Sequence, residues 1–185
     1  MTRFLTTSAA LLLALAAATG AEAQARRPAA AAPAGAPGGA GATLVATFND
    51  WSAYTAQTGR SKICYALSQP KARTPANLKD TPAYLFVSFR PAENVKNEVA
   101  TVLGFDTKES GPADAAIGGT TYALVTKGKN GWIKNPAEEA QAIATMSKGQ
   151  QVVVSVTSAR GNKTGDRYSL AGFAQALERA RKECP

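Results

Sequence analysis

From residue 43 onward, short apolar stretches alternate with turn signals at strand-like intervals. Leu44-Val-Ala-Thr-Phe48 leads into Asn49-Asp50, a turn pair, and Trp51 to Ala56 then reads as extended. Gln57 to Arg60 turns the chain into a strand over 62–69, and three prolines (Pro70, Pro75, Pro82) predict a loop over 70–81. Tyr84-Leu-Phe-Val-Ser-Phe89, Glu98 to Phe105, Thr120 to Thr126 and Gln150 to Thr157 read as further strands. Lys127-Gly-Lys-Asn-Gly131 predicts a hairpin turn, with Asn-Gly favouring a two-residue loop, and Gly161 to Gly165 predicts another turn, before Arg167-Tyr168.

Two stretches change period. Asn135 precedes Pro136 and Glu138-Glu139, an N-cap followed by proline and acids in a first helical turn. The pattern stops at Lys148-Gly149, a basic residue and then glycine. Ser169 reads as the N-cap of a second helix, in which Leu170, Phe173, Ala174, Leu177 and Ala180 form one apolar face. The expected fold is therefore mainly β: an antiparallel β-sandwich or barrel-like domain over 43–185, with a short helix near 136–148 and a C-terminal helix over 170–183.

The first 42 residues follow different rules. A basic start at Arg3, the apolar run Leu11 to Ala18 and the small-residue site Ala21-Glu-Ala23 predict a cleavable signal peptide over 1–23. The apolar run is too short to span a membrane, and no cysteine follows it for lipid attachment. Residues 24–42 are Ala, Pro and Gly with Arg26 and Arg27, and read as a disordered linker. These features predict a periplasmic or secreted protein with no transmembrane span in its mature form.

Composition adds constraints. The 185-residue chain has net charge +8, and residues 43–185 carry 18 Lys/Arg against 12 Asp/Glu. That balance favours contact with acidic partners: anionic lipid headgroups, surface polysaccharide or nucleic acid. There is no run of five basic residues and no basic stripe with interleaved aromatics, so nucleic acid is not expected. Cys64 and Cys184 are the two cysteines. In an oxidising compartment they are expected to pair, because Cys184 lies four residues after Ala180, on the inward face of the last helix.

The sequence contains no histidine, which excludes Ser-His-Asp and Cys-His catalysis; with two cysteines, it also lacks the usual ligands of a structural zinc site. No phosphate-binding loop or EF-hand pattern is present, and no cofactor is expected. Ser68-Gln-Pro-Lys71 and Lys163-Thr-Gly165 match short motifs of penicillin-binding enzymes, but the first falls at a strand end where a helix is needed. Glu138/Glu139 and Asp106/Glu109 are the close acidic groups that two-carboxylate hydrolysis would use. The expectation is a non-enzymatic module, with a hydrolase or inhibitor of envelope polymers as the alternative. Trp132, flanked by Lys127, Lys129 and Lys134, is the candidate binding patch, since an aromatic ring with nearby cations suits a sugar or a membrane surface.

Several of these segments together resemble the invasion-associated locus B family of alphaproteobacterial exported proteins. They are Asn49-Asp-Trp51, Lys62-Ile-Cys64-Tyr, Tyr84-Leu-Phe-Val-Ser88, Asn97-Glu-Val99, Gly131-Trp132, and Tyr168-Ser-Leu-Ala-Gly-Phe173 with Ala176-Leu177. The resemblance implies an exported protein, in some pathogens linked with entry into host cells, and it supplies no catalytic residues. Many members carry a cysteine shortly after the first tryptophan. Here that stretch is Trp51-Ser-Ala-Tyr54-Thr, so a disulfide using that position is absent.

Overall fold

The computed structural model describes residues 41–185; the expected signal peptide, and the linker up to residue 40, lie outside the described residues. Eleven antiparallel strands make one continuous ladder. They are β1 (Thr43–Phe48), β2 (Trp51–Thr58), β3 (Ser61–Ser68), β4 (Ala72–Thr74), β5 (Tyr84–Arg90), β6 (Val95–Val102), β7 (Ala113–Ile117), β8 (Thr120–Lys127), β9 (Asn130–Ile133), β10 (Gln151–Thr157) and β11 (Lys163–Ser169). Their spatial order is β1-β2-β3-β5-β6-β9-β8-β7-β10-β11-β4. Helix α1 (Glu139–Lys148) follows β9 and helix α2 (Phe173–Glu183) follows β11. The fold is thus mainly antiparallel β with one short and one C-terminal helix, as the apolar pattern predicts.

Period-two alternation decides which side chains enter the core. Val152, Val154 and Val156 of β10 are buried, while Val153 and Ser155 between them are not. With Trp51, Cys64, Leu85, Val87, Tyr122 and Tyr168 they build the main core, which both helices join through Ile143, Met146, Phe173 and Leu177. Phe173 meets the Trp51 ring edge-on, with centroids 4.8 Å apart, and the Trp51 indole N–H donates to the Ser169 carbonyl at 2.8 Å. The Cys64–Cys184 disulfide then ties the end of α2 to β3, with Cα atoms 5.9 Å apart across a sequence separation of 120.

A second apolar cluster lies on the opposite face of the same strands. In β3, Cys64 and Ala66 belong to the main core, and their neighbours Tyr65 and Leu67 to this outer cluster, with Tyr54, Ala56 and Tyr84. Tyr54 and Tyr65 stack with centroids 5.4 Å apart, and Phe86 meets Tyr65 edge-on. Ala42, expected in the linker, is buried in the same cluster.

The structure departs from the sequence reading at several places. The loop expected over 70–81 contains β4, which pairs with β11. Three residues hold as a strand because Arg73 makes a two-bonded ion pair with Asp166, at 2.8 and 2.9 Å. Its remaining N–H groups donate to the carbonyls of Thr81, Leu78 and Leu103, so every donor of the buried guanidinium has an acceptor. β7 was not expected, because Ala113-Asp-Ala-Ala-Ile117 has weak strand propensity; it forms because β8 and β10 pair with it on both sides. The stretch 163–165, expected as a turn, is instead the start of β11. Finally, α2 begins at Phe173, not near Ser169. Ser169 is the last residue of β11, and Gly172 adopts a left-handed conformation (φ 88°) in which a Cβ would overlap the Phe48 carbonyl.

Candidate functional site

The candidate patch occupies the β8–β9 hairpin. Lys127 pairs with Asn130, so the two loop residues are Gly128 and Lys129 and not the expected Asn130-Gly131. Gly128 supplies the left-handed conformation (φ 56°) that the tight turn requires. Gly131 is needed inside the strand: β9 is wedged between β6 and β8, and a Cβ there would stand 3.1 Å from the Thr101 side chain. Turn propensity therefore yields to close strand packing.

On β8, Tyr122 and Leu124 are buried, whereas Ala123, Val125 and Lys127 face out. Val125 is 49% exposed, an uncommon state for a large apolar side chain in this fold. Its cross-strand partner is Trp132, which is half-buried and pairs on its other side with Ala100 of β6. The outer face of the hairpin thus joins an apolar centre, Val125 and Trp132, to three exposed lysines. Among the described residues, no acidic side chain pairs with Lys127, Lys129 or Lys134, while Lys62, Lys71, Lys79 and Lys182 each have an acidic partner.

The three lysines do not share one cavity. Lys127 and Lys134 line a groove of about 800 Å³ with Val125, Thr126, Thr107 and Glu109. Thr107 anchors its far wall by donating from its backbone N–H and its hydroxyl to the Gly128 carbonyl. Lys129 points instead to a separate groove of about 400 Å³ with Arg160, Asn162 and Asp106. The hairpin lysines therefore line two separate grooves and no single enclosed cavity.

Three of the catalytic candidates, Ser68, Lys71 and Glu139, are engaged in structure. Ser68 is buried and donates to the Asp50 carbonyl at 2.7 Å, and Lys71 forms an ion pair with the Asp50 carboxylate. Asp106 and Glu109 line different grooves. Glu139 is buried at the start of α1 and accepts the Val99 N–H at 2.8 Å. That N–H lies just beyond the β6 residues that β9 pairs with, so the carboxylate completes the ladder. Among the described residues, no group of three His, Cys, Asp or Glu side chains is placed to hold a metal ion, and no helix is long and apolar enough to cross a membrane.

Burial, reinforced by the charge of Glu98, raises the Glu139 pKa to about 7. The ordinary value of 4.5 applies in the unfolded chain, so between 4.5 and 7 the folded state binds more protons. Stability from this group is complete below pH 4.5 and is lost as pH rises through about 7. Glu139→Gln keeps the acceptor for Val99 and removes the charge. It is expected to flatten that slope and to gain about 1–3 kcal/mol over the wild type at pH 8. Urea midpoints of both proteins at pH 5 and pH 8 check this; a constant difference between them would refute it.

The family model for the Invasion associated locus B (IalB) protein matches residues 119–181. That stretch holds the β8–β9 hairpin and most of α2. Among solved structures, the chain is similar to the crystal structure of invasion associated protein b from Bartonella henselae, with a TM-score of 0.55 and 17% identity. The match covers 76% of this chain and 97% of that one. No curated protein sequence matches. The resemblance read from the sequence is borne out: the family model takes in Gly131-Trp132 and the Tyr168 to Leu177 segment, and the two folds are alike.

Proposed function

We propose that this relative of the invasion-associated locus B proteins is an exported, non-catalytic module that holds an acidic component of the cell envelope or of a host surface. The observation that carries the reading is the exposed Val125 beside Trp132, with Lys127 and Lys134 lining the same groove as Val125 and Lys129 at the turn, none of the three having an acidic partner among the described residues. Apolar contact supplies short-range adhesion, and the lysines supply attraction that weakens with salt. Export rests on the signal pattern at 1–23 and on the disulfide, a bond that persists in oxidising compartments.

Trp132→Ala is expected to weaken binding to an acidic polysaccharide or to vesicles rich in anionic lipid by about tenfold, with a stability loss under about 2 kcal/mol, because the ring is only half-buried. Replacing Lys127, Lys129 and Lys134 together with Gln should remove most of the salt dependence and leave the urea midpoint unchanged. Sedimentation with vesicles and titration with the polysaccharide at two salt concentrations read both effects. Unaltered affinity in both variants would place binding elsewhere.

A further inference from the structure

The segment just past α2 and the turn between β5 and β6 frame a groove of about 560 Å³. Cys64 pairs across the ladder with Phe89, so the disulfide brings Cys184 to the same groove that Phe89 lines. Phe89 lies where the register of β5 against β6 shifts, between Ser88 and Arg90, and such irregularities recur next to binding sites. Pro91 and Val95, on either side of the left-handed Asn94 (φ 56°), add further apolar lining.

The charges of the groove are one-sided. No aspartate or glutamate lines it, whereas Lys96 and Arg181 do, and both are exposed. The Arg181 guanidinium stands over the Phe89 ring, 5.7 Å from its centroid. Among the described residues, neither cation forms an ion pair or a side-chain hydrogen bond. The acids nearby in sequence are already engaged: Glu178 pairs with Lys182 at 2.7 Å, Glu183 with Arg179 at 2.6 Å, and Glu93 and Glu98 with Arg90. Pro185, the last residue, also lines the groove, and no ion pair joins its carboxylate to either cation.

An apolar lining with unpaired cations at its exposed edge complements a ligand of the reverse layout, an apolar body with an anionic head. We infer that this groove binds a free fatty acid, its chain against Phe89, Val95 and Cys184 and its carboxylate at Arg181 and Lys96. The disulfide sulfur is a soft, polarizable surface for a hydrocarbon chain. The planar fork of an arginine matches a carboxylate with two parallel hydrogen bonds. The volume lies within the range of small-ligand sites, about 300–1,000 Å³. The groove shares no lining residue with the grooves of the β8–β9 hairpin, so the two readings stand or fall separately.

The test is titration calorimetry of the mature chain, its disulfide intact, with monomeric hexanoate, octanoate and decanoate. Affinity should rise about two- to fourfold for each added methylene. 1-Decanol, with the same chain and no charge, should bind about tenfold more weakly than decanoate. Arg181→Gln and Lys96→Glu should each weaken decanoate about tenfold and leave decanol unchanged. Both side chains are exposed, so both variants should fold. Amide NMR shifts caused by decanoate should fall within residues 89–97 and 181–185. The variant with Lys127, Lys129 and Lys134 replaced by Gln should bind decanoate as the wild type does. Affinity independent of chain length, equal affinity for decanol, or shifts confined to residues 122–134 overturns the groove. Binding to anionic vesicles without binding to monomeric decanoate also overturns it, and assigns the two cations to a membrane surface instead.

Discussion

Removing the Cys64–Cys184 bond is expected to lower the unfolding free energy by about 4–5 kcal/mol. The bond closes a loop spanning 120 residues, and in the chain-entropy treatment a loop of that size restricts the unfolded state by about this amount. The folded state loses less. α2 remains fastened at its start by Phe173 against Trp51, and at its end Lys62 donates to the Glu183 carbonyl at 2.5 Å, while Arg179 pairs with Glu183 at 2.6 Å. The double variant Cys64→Ser/Cys184→Ser should therefore keep its near-ultraviolet signal at 25 °C and unfold at a much lower urea concentration. Hydrogen exchange should quicken at residues 178–184 and stay slow near Phe173. A loss below about 1 kcal/mol would mean that the reduced unfolded chain is already compact near these residues.

The second large effect is expected at Arg73 and Asp166. Both side chains are almost wholly buried, at 3% and 1% exposure. Removing either partner leaves a charge in the interior with no counter-ion, a change that costs about 3–5 kcal/mol. Arg73→Ala additionally frees the carbonyls of Thr81, Leu78 and Leu103, so the segment between β4 and β5 should lose protection from exchange. Asp166→Asn keeps the shape and removes the charge. The double variant Arg73→Met/Asp166→Leu should recover much of the loss, since an apolar pair of similar volume has no desolvation cost to offset. A double-mutant cycle by urea denaturation measures the coupling. Additive losses would show that the two residues act independently, against the geometry.

Elements with local causes were legible in the sequence, and those with distant causes were not. β5 and β10 were legible because their apolar residues suffice to define a strand wherever it packs. The disulfide was legible because Cys184 continues the apolar face of α2. β4 was not legible, since Ala72-Arg-Thr74 becomes a strand through a carboxylate 93 residues away. The start of α2 was misplaced because Ser169 carries the local signature of a cap, while its carbonyl belongs to the Trp51 indole. The hairpin itself was legible; its turn was shifted because Gly131 answers to Thr101 of β6, outside the local window. The outer aromatic face was present as the run Ile63 to Leu67, apolar at odd and even positions alike. Such a run signals a strand covered on both faces, and only the structure separates the two sets.

The seam between β4 and β11 also bears on the order of events during folding. Most neighbours in the ladder follow one another in sequence and meet through hairpins: β1 with β2, β2 with β3, β5 with β6, β7 with β8, β8 with β9, and β10 with β11. The seam, closed by Arg73 with Asp166 and by the Lys71 N–H to the Arg167 carbonyl, waits until two distant parts of the chain have been brought together. Closing so long a loop is entropically costly before its contacts exist, so the seam is expected to form after the rate-limiting barrier. Weakening it then hastens escape from the native state and hardly slows arrival. The seam acts as a clasp on the lifetime of the fold more than as a guide to its formation.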